Sequence, residues 1–324
     1  MTHVVVVADR IDQDGIDLLS SGSDFAVVST VDRPERLPEE LRKAHALVVR
    51  SSTQVTRETI ALATELKVIA RAGMGVDNID VAAATEAGIA VLNTPGANTI
   101  SAAEHTLALL LALLRNVPRA MSSLQGGQWD RKRFGGTEMH GKTLSALGLG
   151  RIGQHVVRLA QAFSMRVLAH DPYLSPELAS DLRVTLVSLE DALRQADVVT
   201  LHLPLTDDTR RIMNASRFAL MKPTAVLVNT ARGGLVDDVA LVAALDAGRL
   251  CGAALDVFES EPLNPASPLR TSEKIVLTPH LAASTAEAQK RVSLEVCEAV
   301  KRALAVGDVS GAINRSELVG AARS

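Results

Sequence analysis

Lys142-Thr143-Leu144-Ser145-Ala146-Leu147-Gly148-Leu149-Gly150-Arg151-Ile152-Gly153 is the stretch that decides the fold. A strand-like run feeds a G-x-G-x-x-G turn, and an amphipathic segment follows. A second strand-like run, Arg166 to His170, then ends on Asp171. An acid roughly twenty residues beyond such a turn gives the glycines their meaning. Gly148 permits the tight turn, Gly150 lets backbone approach a pyrophosphate, and Gly153 lets helix and strand pack closely. A helix opening at Arg151 turns free N–H groups and a positive dipole end toward phosphate. Asp171 is placed to accept hydrogen bonds from both hydroxyls of an adenosine ribose. The pattern implies a dinucleotide-binding unit.

Outward from that unit, strands and helices alternate. Strand-like runs fall at 3–8, 25–29, 46–50, 67–71 and 89–92, with helical patterns between them at 57–64 and 78–87. A long apolar helix is expected over 101–116, with Ser101 and Glu104 spaced as a capping box. Segment 122–141, rich in Gly, Lys and Arg, reads as an exposed loop. A second series has strands near 144–148, 166–170, 184–187, 197–201, 225–229, 251–255 and 275–278, and closes on a helix over 286–305. Short apolar runs bounded by turn residues are how buried parallel strands look. The expected fold is α/β: two doubly wound parallel-sheet domains, Rossmann-like and flavodoxin-like, with an active-site cleft between them.

Composition narrows the function. With 324 residues the chain can form two sizeable cores. Hydrophobic residues make up 47% and aromatics only 2%, so those cores are built from Val, Leu, Ile and Ala. A net charge of −3 argues against a nucleic-acid partner. The longest apolar run, Leu107 to Leu114, is far short of a membrane span. Val4 to Val7 followed by Asp9-Arg10 reads as a strand, not a leader. Cys251 and Cys297 lack metal-ligand spacing and are expected to be buried, reduced thiols of a cytoplasmic protein, with no metal site.

Three later segments end predicted strands, the edge where open α/β sheets bind ligands. They are Asn229-Thr230-Ala231-Arg232-Gly233-Gly234, Asp256-Val257-Phe258-Glu259-Ser260-Glu261-Pro262 and Thr278-Pro279-His280. An Arg, an acid and a His reach one rim. Arg232 can hold a carboxylate with paired N–H bonds. His280 can move the proton of a hydroxyl or carbonyl. Glu261 can orient His280 and stabilise its charged form.

These motifs, together with Arg71 to Asp80, Asn93 to Asn98 and Pro279 to Thr285, resemble the D-isomer-specific 2-hydroxyacid dehydrogenases over about residues 4–315. The resemblance implies Arg232, Glu261 and His280 as the catalytic set. It implies an NAD site drawn from Met74, Gly148, Gly150, Arg151, Ile152, Gly153, Asp171, Leu203, Thr230, Ala231, Asp256, His280, Ala282 and Ala283. NAD is expected over NADP, because Asp171 repels a 2′-phosphate and Pro172-Tyr173-Leu174 offers no Arg. It further implies a substrate-binding domain of 1–97 plus 287–324 and an NAD-binding domain of 98–286, with the last helix returning to the first domain. A homodimer through the NAD-binding domain is implied, with the 122–141 arm at its interface.

The implied reaction passes hydride between NAD(H) and a D-2-hydroxy or 2-keto acid. Substrate contacts are expected from Arg50, Ser51, Arg71, Met74, Gly75, Asn98, Arg131 and Arg232. Arg50, Arg71 and Arg131-Lys132-Arg133 could meet a phosphate, and the resemblance places Arg50 and a neighbouring subunit's Arg131 there. That favours 3-phosphoglycerate, oxidised to 3-phosphohydroxypyruvate at the start of serine biosynthesis. A hydroxypyruvate/glyoxylate reductase or other 2-ketoacid reductase would keep the catalytic set without needing the basic clusters. An NAD-sensing corepressor-like scaffold shares the fold but usually carries a recruiting tail. The chain ends soon after Asn314, so the regulatory domain of longer relatives, and with it any response to serine, is not expected.

Overall fold

The structure is a computed structural model and describes residues 2–321. Among the described residues twelve strands form two parallel sheets. The first sheet holds β1 (His3–Val7), β2 (Phe25–Ser29), β3 (Ala46–Val49), β4 (Val68–Arg71) and β5 (Ala90–Leu92), in the order β2-β1-β3-β4-β5. The second holds β6 (Thr143–Leu147), β7 (Arg166–His170), β8 (Thr185–Leu186), β9 (Val198–Leu201), β10 (Val226–Asn229), β11 (Gly252–Leu255) and β12 (Ile275–Leu277). Its order is β12-β11-β10-β9-β6-β7-β8. Central strands are apolar along their whole length because helices cover both faces. Ala46, Leu47, Val48 and Val49 of β3 are all fully buried. Each sheet reverses its strand order once, between β1 and β3 and between β6 and β9, and such switch points open crevices for ligands.

The chain divides into two compact units, residues up to Asn98 with those from Thr285 onward, and Thr99–Ser284. The helix Ala286–Val306 belongs to the first unit because Val292, Val296, Cys297 and Val300 form a stripe at helical spacing. That stripe packs with Val5, Val48, Val68 and Leu92. The helix crosses Gln13–Ser20 so closely that a Cβ on Gly15 would lie 2.8 Å from the Ser293 carbonyl oxygen. Ser293 Oγ accepts a hydrogen bond from Asp12 N at 2.8 Å in the same crossing. Beyond the helix, Asn314 accepts from Val91 N at 3.0 Å and donates to the Ile89 carbonyl at 2.9 Å, fastening the chain to β5. In the second unit the core lies in two layers, one on each face of the sheet.

Three expectations are corrected. The apolar helix runs Thr99–Leu114, so Ser101 lies inside it. Ser101 is buried and donates to the Ala282 carbonyl at 2.8 Å instead of capping. The supposed loop 122–141 begins in a helix, Val117–Gln125, and contains a 3-10 turn, Arg131–Phe134. Arg119 pairs with Glu273 at 2.8 Å, and Arg119 and Arg133 both lie over the Phe134 ring, which orders this basic segment. Of the thiols, Cys297 is buried and burial pushes it up to about 12, but Cys251 is exposed on the turn before β11. Among the described residues no single helix is long and apolar enough to cross a membrane.

Candidate active site

The glycine turn joins β6 to the helix Arg151–Ala162 at the switch point. Gly148 has φ +90°, and a Cβ there would lie 2.7 Å from the His202 carbonyl oxygen, so the position is restricted to glycine. A Cβ on Gly153 would lie 2.3 Å from the Gly148 carbonyl oxygen. Gly150 differs: a Cβ there would meet nothing within 4 Å, so the space above it is open.

Gly150 is also the N-cap, with no side-chain cap on the helix. Among the described residues eight other helices are capped by Asp12, Thr56, Asp80, Ser175, Ser188, Asn214, Asp237 and Thr285, while Leu37–Leu41 and Val117–Gln125 share the lack of a side-chain cap and carry Pro in the first turn. The first turn after Gly150 therefore offers its N–H groups to an anion, which fits a pyrophosphate. Asp171, at the end of β7, accepts from Leu149 N at 2.8 Å and Tyr173 N at 2.9 Å. Those bonds fix the carboxylate beside the turn and leave lone pairs for ribose hydroxyls. Arg151 is exposed and Ile152 partly buried at the helix start. Leu203 lies beyond β9, its Cδ2 3.1 Å from where a Cβ on Gly148 would be. His202 bonds Thr200 Oγ1 at 3.0 Å, and desolvation pushes its imidazole down to about 4, so it is neutral near pH 7.

The loops after β10, β11 and β12 reach the same edge. Asn229 is buried, donates to the Arg232 carbonyl at 2.8 Å and accepts from Ala231 N at 3.1 Å, which shapes the turn presenting Arg232. Arg232 Nη1 donates to the Ala231 carbonyl at 2.7 Å. Thr230 is drawn inward, its Oγ1 2.7 Å from Thr106 Oγ1. Gly233 is needed because a Cβ would lie 1.9 Å from Phe258 C, so the loops after β10 and β11 touch there.

Phe258 N donates to Glu261 Oε1 at 3.0 Å, and the other carboxylate oxygen lies 2.7 Å from His280 Nδ1. Burial alone would raise the Glu261 carboxyl, but hydrogen bonds from His280 and Phe258 N outweigh it and hold it below the usual value. An ionised Glu261 accepts, so Nδ1 carries hydrogen and a neutral His280 presents Nε2 as its base. The two side chains are 44% and 37% exposed, open to a ligand.

Asp256 is fully buried. It accepts from Thr278 Oγ1, His105 Nε2, Leu281 N and Ala282 N, with Ala283 next in the chain. Its carboxylate lies behind the His280 segment.

The remaining candidates stand on the first unit. Arg50 and Ser51 follow β3 at the switch point, where Asp9 accepts from Arg50 N at 2.6 Å and from Thr53 Oγ1 at 2.8 Å. Arg71 ends β4, and a Cβ on Gly73 would meet its guanidinium, so Gly73 lets that side chain fold over the turn. Met74 is 43% exposed, its carbonyl held by Asn93 Nδ2 at 2.7 Å, and Gly75 follows. Asn98 closes the loop after β5. Arg131, in the second unit, is exposed. Asn78 Nδ2 donates to the Arg50 and Thr53 carbonyls at 2.7 and 2.6 Å, and neither it nor His105, Asp9 or His202 is marked as a site residue by a motif in the sequence. Only His105 had a local signal, four residues after Ser101 and so on the same helix face.

A sequence profile described as "D-isomer specific 2-hydroxyacid dehydrogenase, NAD binding domain" matches residues 107–282. The chain is 49% identical over 301 residues to D-3-phosphoglycerate dehydrogenase of Methanocaldococcus jannaschii, a match covering 93% of this chain and 57% of that protein. The chain thus spans little more than half the length of the curated relatives it matches. Among solved structures it resembles a glyoxylate reductase from Paecilomyes thermophila, with TM-score 0.86, 32% identity and coverage of 97% and 99% of the two chains. It also resembles D-lactate dehydrogenase from Aquifex aeolicus complexed with NAD and lactic acid, with TM-score 0.82, 29% identity and coverage of 95% and 97%.

Proposed function

Because the chain belongs to the D-isomer specific 2-hydroxyacid dehydrogenase family, we propose that it interconverts a D-2-hydroxy acid and its 2-keto acid with NAD(H). The observation that carries this reading is the His280–Glu261 pair, 2.7 Å apart on the sheet edge that also bears the open Gly150 turn and Asp171. NAD, when bound, supplies the hydride acceptor at its nicotinamide. The turn from Gly148 to Gly153 would hold its pyrophosphate and Asp171 its ribose. His280 Nε2 takes the proton of the C2 hydroxyl in oxidation and returns it to the carbonyl oxygen in reduction. Glu261 stabilises the imidazolium formed on the way. Arg232 pairs with the substrate carboxylate and fixes its orientation, an effect that can supply several kcal/mol, up to roughly 7–11 in the intramolecular limit.

For the substrate we propose a phosphorylated acid, 3-phosphoglycerate, which would place the chain at the entry to serine synthesis in the cytoplasm. Arg50 is a proposed phosphate donor, as is Arg131 of a second copy. Ser51, Arg71, Met74, Gly75 and Asn98 are proposed further contacts, and 1–97 with 287–324 the substrate domain. The relatives named for phosphoglycerate support this choice. A homodimer through the second unit is supported by Val117, Met121, Leu124 and Trp129, which are 52–80% exposed on and just after the helix Val117–Gln125. The likeness to a glyoxylate reductase keeps an unphosphorylated keto acid as the second reading.

The test compares kcat/KM for 3-phosphoglycerate, D-glycerate and D-lactate. A phosphate dianion leaving water needs charged donors, each worth about 1.5–3 kcal/mol. Arg50→Ala and Arg131→Ala should therefore lower kcat/KM for 3-phosphoglycerate by roughly ten- to a hundredfold and affect D-glycerate far less. Preference for an unphosphorylated acid, with both Arg changes silent, would replace this substrate with the second reading.

A further inference from the structure

Behind the His280–Glu261 pair lies a second polar network that touches His280 only through backbone. The Asp256 carbonyl accepts from His280 N at 2.8 Å. Its carboxylate accepts from the next two peptide groups, Leu281 N at 2.8 Å on Oδ1 and Ala282 N at 2.9 Å on Oδ2. One buried residue thus grips three successive N–H groups. Between them His280 is bent to φ +56°, a left-handed conformation that a β-carbon disfavours. Such a conformation persists only where its surroundings over-determine it.

The carboxylate is itself held from the helix Thr99–Leu114. His105 Nε2 lies 3.1 Å from Asp256 Oδ1 and 3.2 Å from Thr278 Oγ1. Thr278 Oγ1 donates its own hydrogen to Oδ1 at 2.6 Å, so toward His105 it can only accept. Both neighbours of Nε2 are then acceptors, and Nε2 must carry hydrogen. One turn earlier on the same helix, Ser101 donates to the Ala282 carbonyl at 2.8 Å. Burial opposes ionisation of Asp256, but the bonds from His105, Thr278, Leu281 and Ala282 more than offset it and keep the carboxyl below its usual range.

We propose that His105 and Asp256 are positioning residues for His280. The His105 imidazole clamps the Asp256 carboxylate, which holds the left-handed turn and so aims the His280 ring at Glu261. Asp256, at 0% exposure, acts from behind the turn. The proposal rests on the reading of His280 as the group that moves the proton.

The test uses the full chain with His105→Leu, which removes the donor, His105→Gln, whose amide N–H stands near the position of Nε2, and Thr278→Val, which removes the other side-chain donor at similar volume. Loss of one hydrogen bond to a charged group should lower kcat in His105→Leu by roughly ten- to a hundredfold. The substrate KM should stay within about threefold and the Kd for NADH should change far less than kcat, because neither His105 nor Thr278, the residues substituted, is counted among the ligand contacts. His105→Gln should recover most of kcat, and Thr278→Val should lower it in the same way, which keeps the test alive if His105→Leu does not fold. Imidazole NMR of His280 adds a readout independent of turnover: the Nδ1 proton bonded to Glu261 should weaken or vanish in His105→Leu and return in His105→Gln. An unchanged His280 ring signal in folded His105→Leu or Thr278→Val would overturn the proposal. So would kcat and NADH affinity falling together without rescue by Gln. If the wild type turns over no D-2-hydroxy acid, the dehydrogenase reading fails, while the ring signal still decides whether His105 positions His280.

Discussion

Gly150→Ala separates a glycine kept for a ligand from glycines kept for folding. Gly150 has φ −65° and ψ −171°, which alanine adopts without strain, and the added methyl would meet no atom within 4 Å. Two small effects on stability oppose each other. Alanine is a poorer N-cap by about 0.5–1 kcal/mol, and it lowers unfolded-chain entropy by about 0.4–1 kcal/mol. Stability should therefore change by no more than about 1 kcal/mol. NADH binding should change far more, because the methyl occupies the space through which a pyrophosphate reaches the uncapped N–H groups. Losing one charge-assisted bond of about 1.5–3 kcal/mol predicts a Kd roughly ten- to a hundredfold weaker. Fluorescence titration with NADH and guanidinium unfolding of the same preparation measure both. Gly153→Ala is the contrast, since its methyl would lie 2.3 Å from a carbonyl oxygen and should lower stability and binding together. A folded Gly150→Ala protein that binds NADH as tightly as the wild type would refute the placement of the pyrophosphate.

Asp171→Ala should reduce the kcat/KM preference for NAD over NADP by on the order of tenfold, because the charge that repels a 2′-phosphate is gone; an unchanged ratio in a cofactor-competition assay counts against this role. Glu261→Gln should lower kcat by roughly ten- to a hundredfold while NADH Kd, read by fluorescence, stays within about threefold. Asp238 is pushed up to about 6 by burial and by Glu259 and Asp237, with Arg211 opposing. Its folded pKa exceeds its unfolded value, so its stabilising contribution is present at acid pH and is lost as pH rises from about 4 through 6. Asp238→Asn should then stabilise the protein at pH 7 by at most about 3 kcal/mol, reduced by solvent screening, and be nearly neutral at pH 4. Urea midpoints of variant and wild type are compared at each pH, because His202, pushed down to about 4, loses stability as pH falls from about 6.5 and contributes the opposite slope to both. Gly233→Ala should be destabilising, since its methyl would overlap Phe258 backbone, and thermal unfolding should show it.

Much of this was legible because parallel strands and glycine turns are local signals. Each central strand is a short apolar run, and Gly148, Gly150 and Gly153 declare both a turn and a close approach. Asp171, Arg232, Glu261 and His280 could be read because each follows a strand, and strand ends share an edge. What escaped depended on partners far along the chain. Ser101 with Glu104 had the spacing of a cap, but Ser101 finds the Ala282 carbonyl 181 residues away. His105 finds its partner Asp256 151 positions along the chain. The enclosure of Asp256 by two peptide N–H groups, a threonine and a histidine is equally non-local, since none of the four is its neighbour in the chain. The exposure of Cys251 follows from a strand that begins one residue later, which composition alone does not locate.

The central claim is that His280, held by Glu261, moves the proton in an NAD-linked oxidation of a D-2-hydroxy acid. Its most direct test is the rate of NADH formation from 3-phosphoglycerate and NAD in His280→Ala beside the wild type, with NADH Kd measured on both. The account predicts steady NADH formation by the wild type, loss of at least about a hundredfold in kcat on substitution, and NADH affinity nearly unchanged. NADH formation by His280→Ala at the wild-type rate, or loss of NADH binding together with turnover, would contradict it.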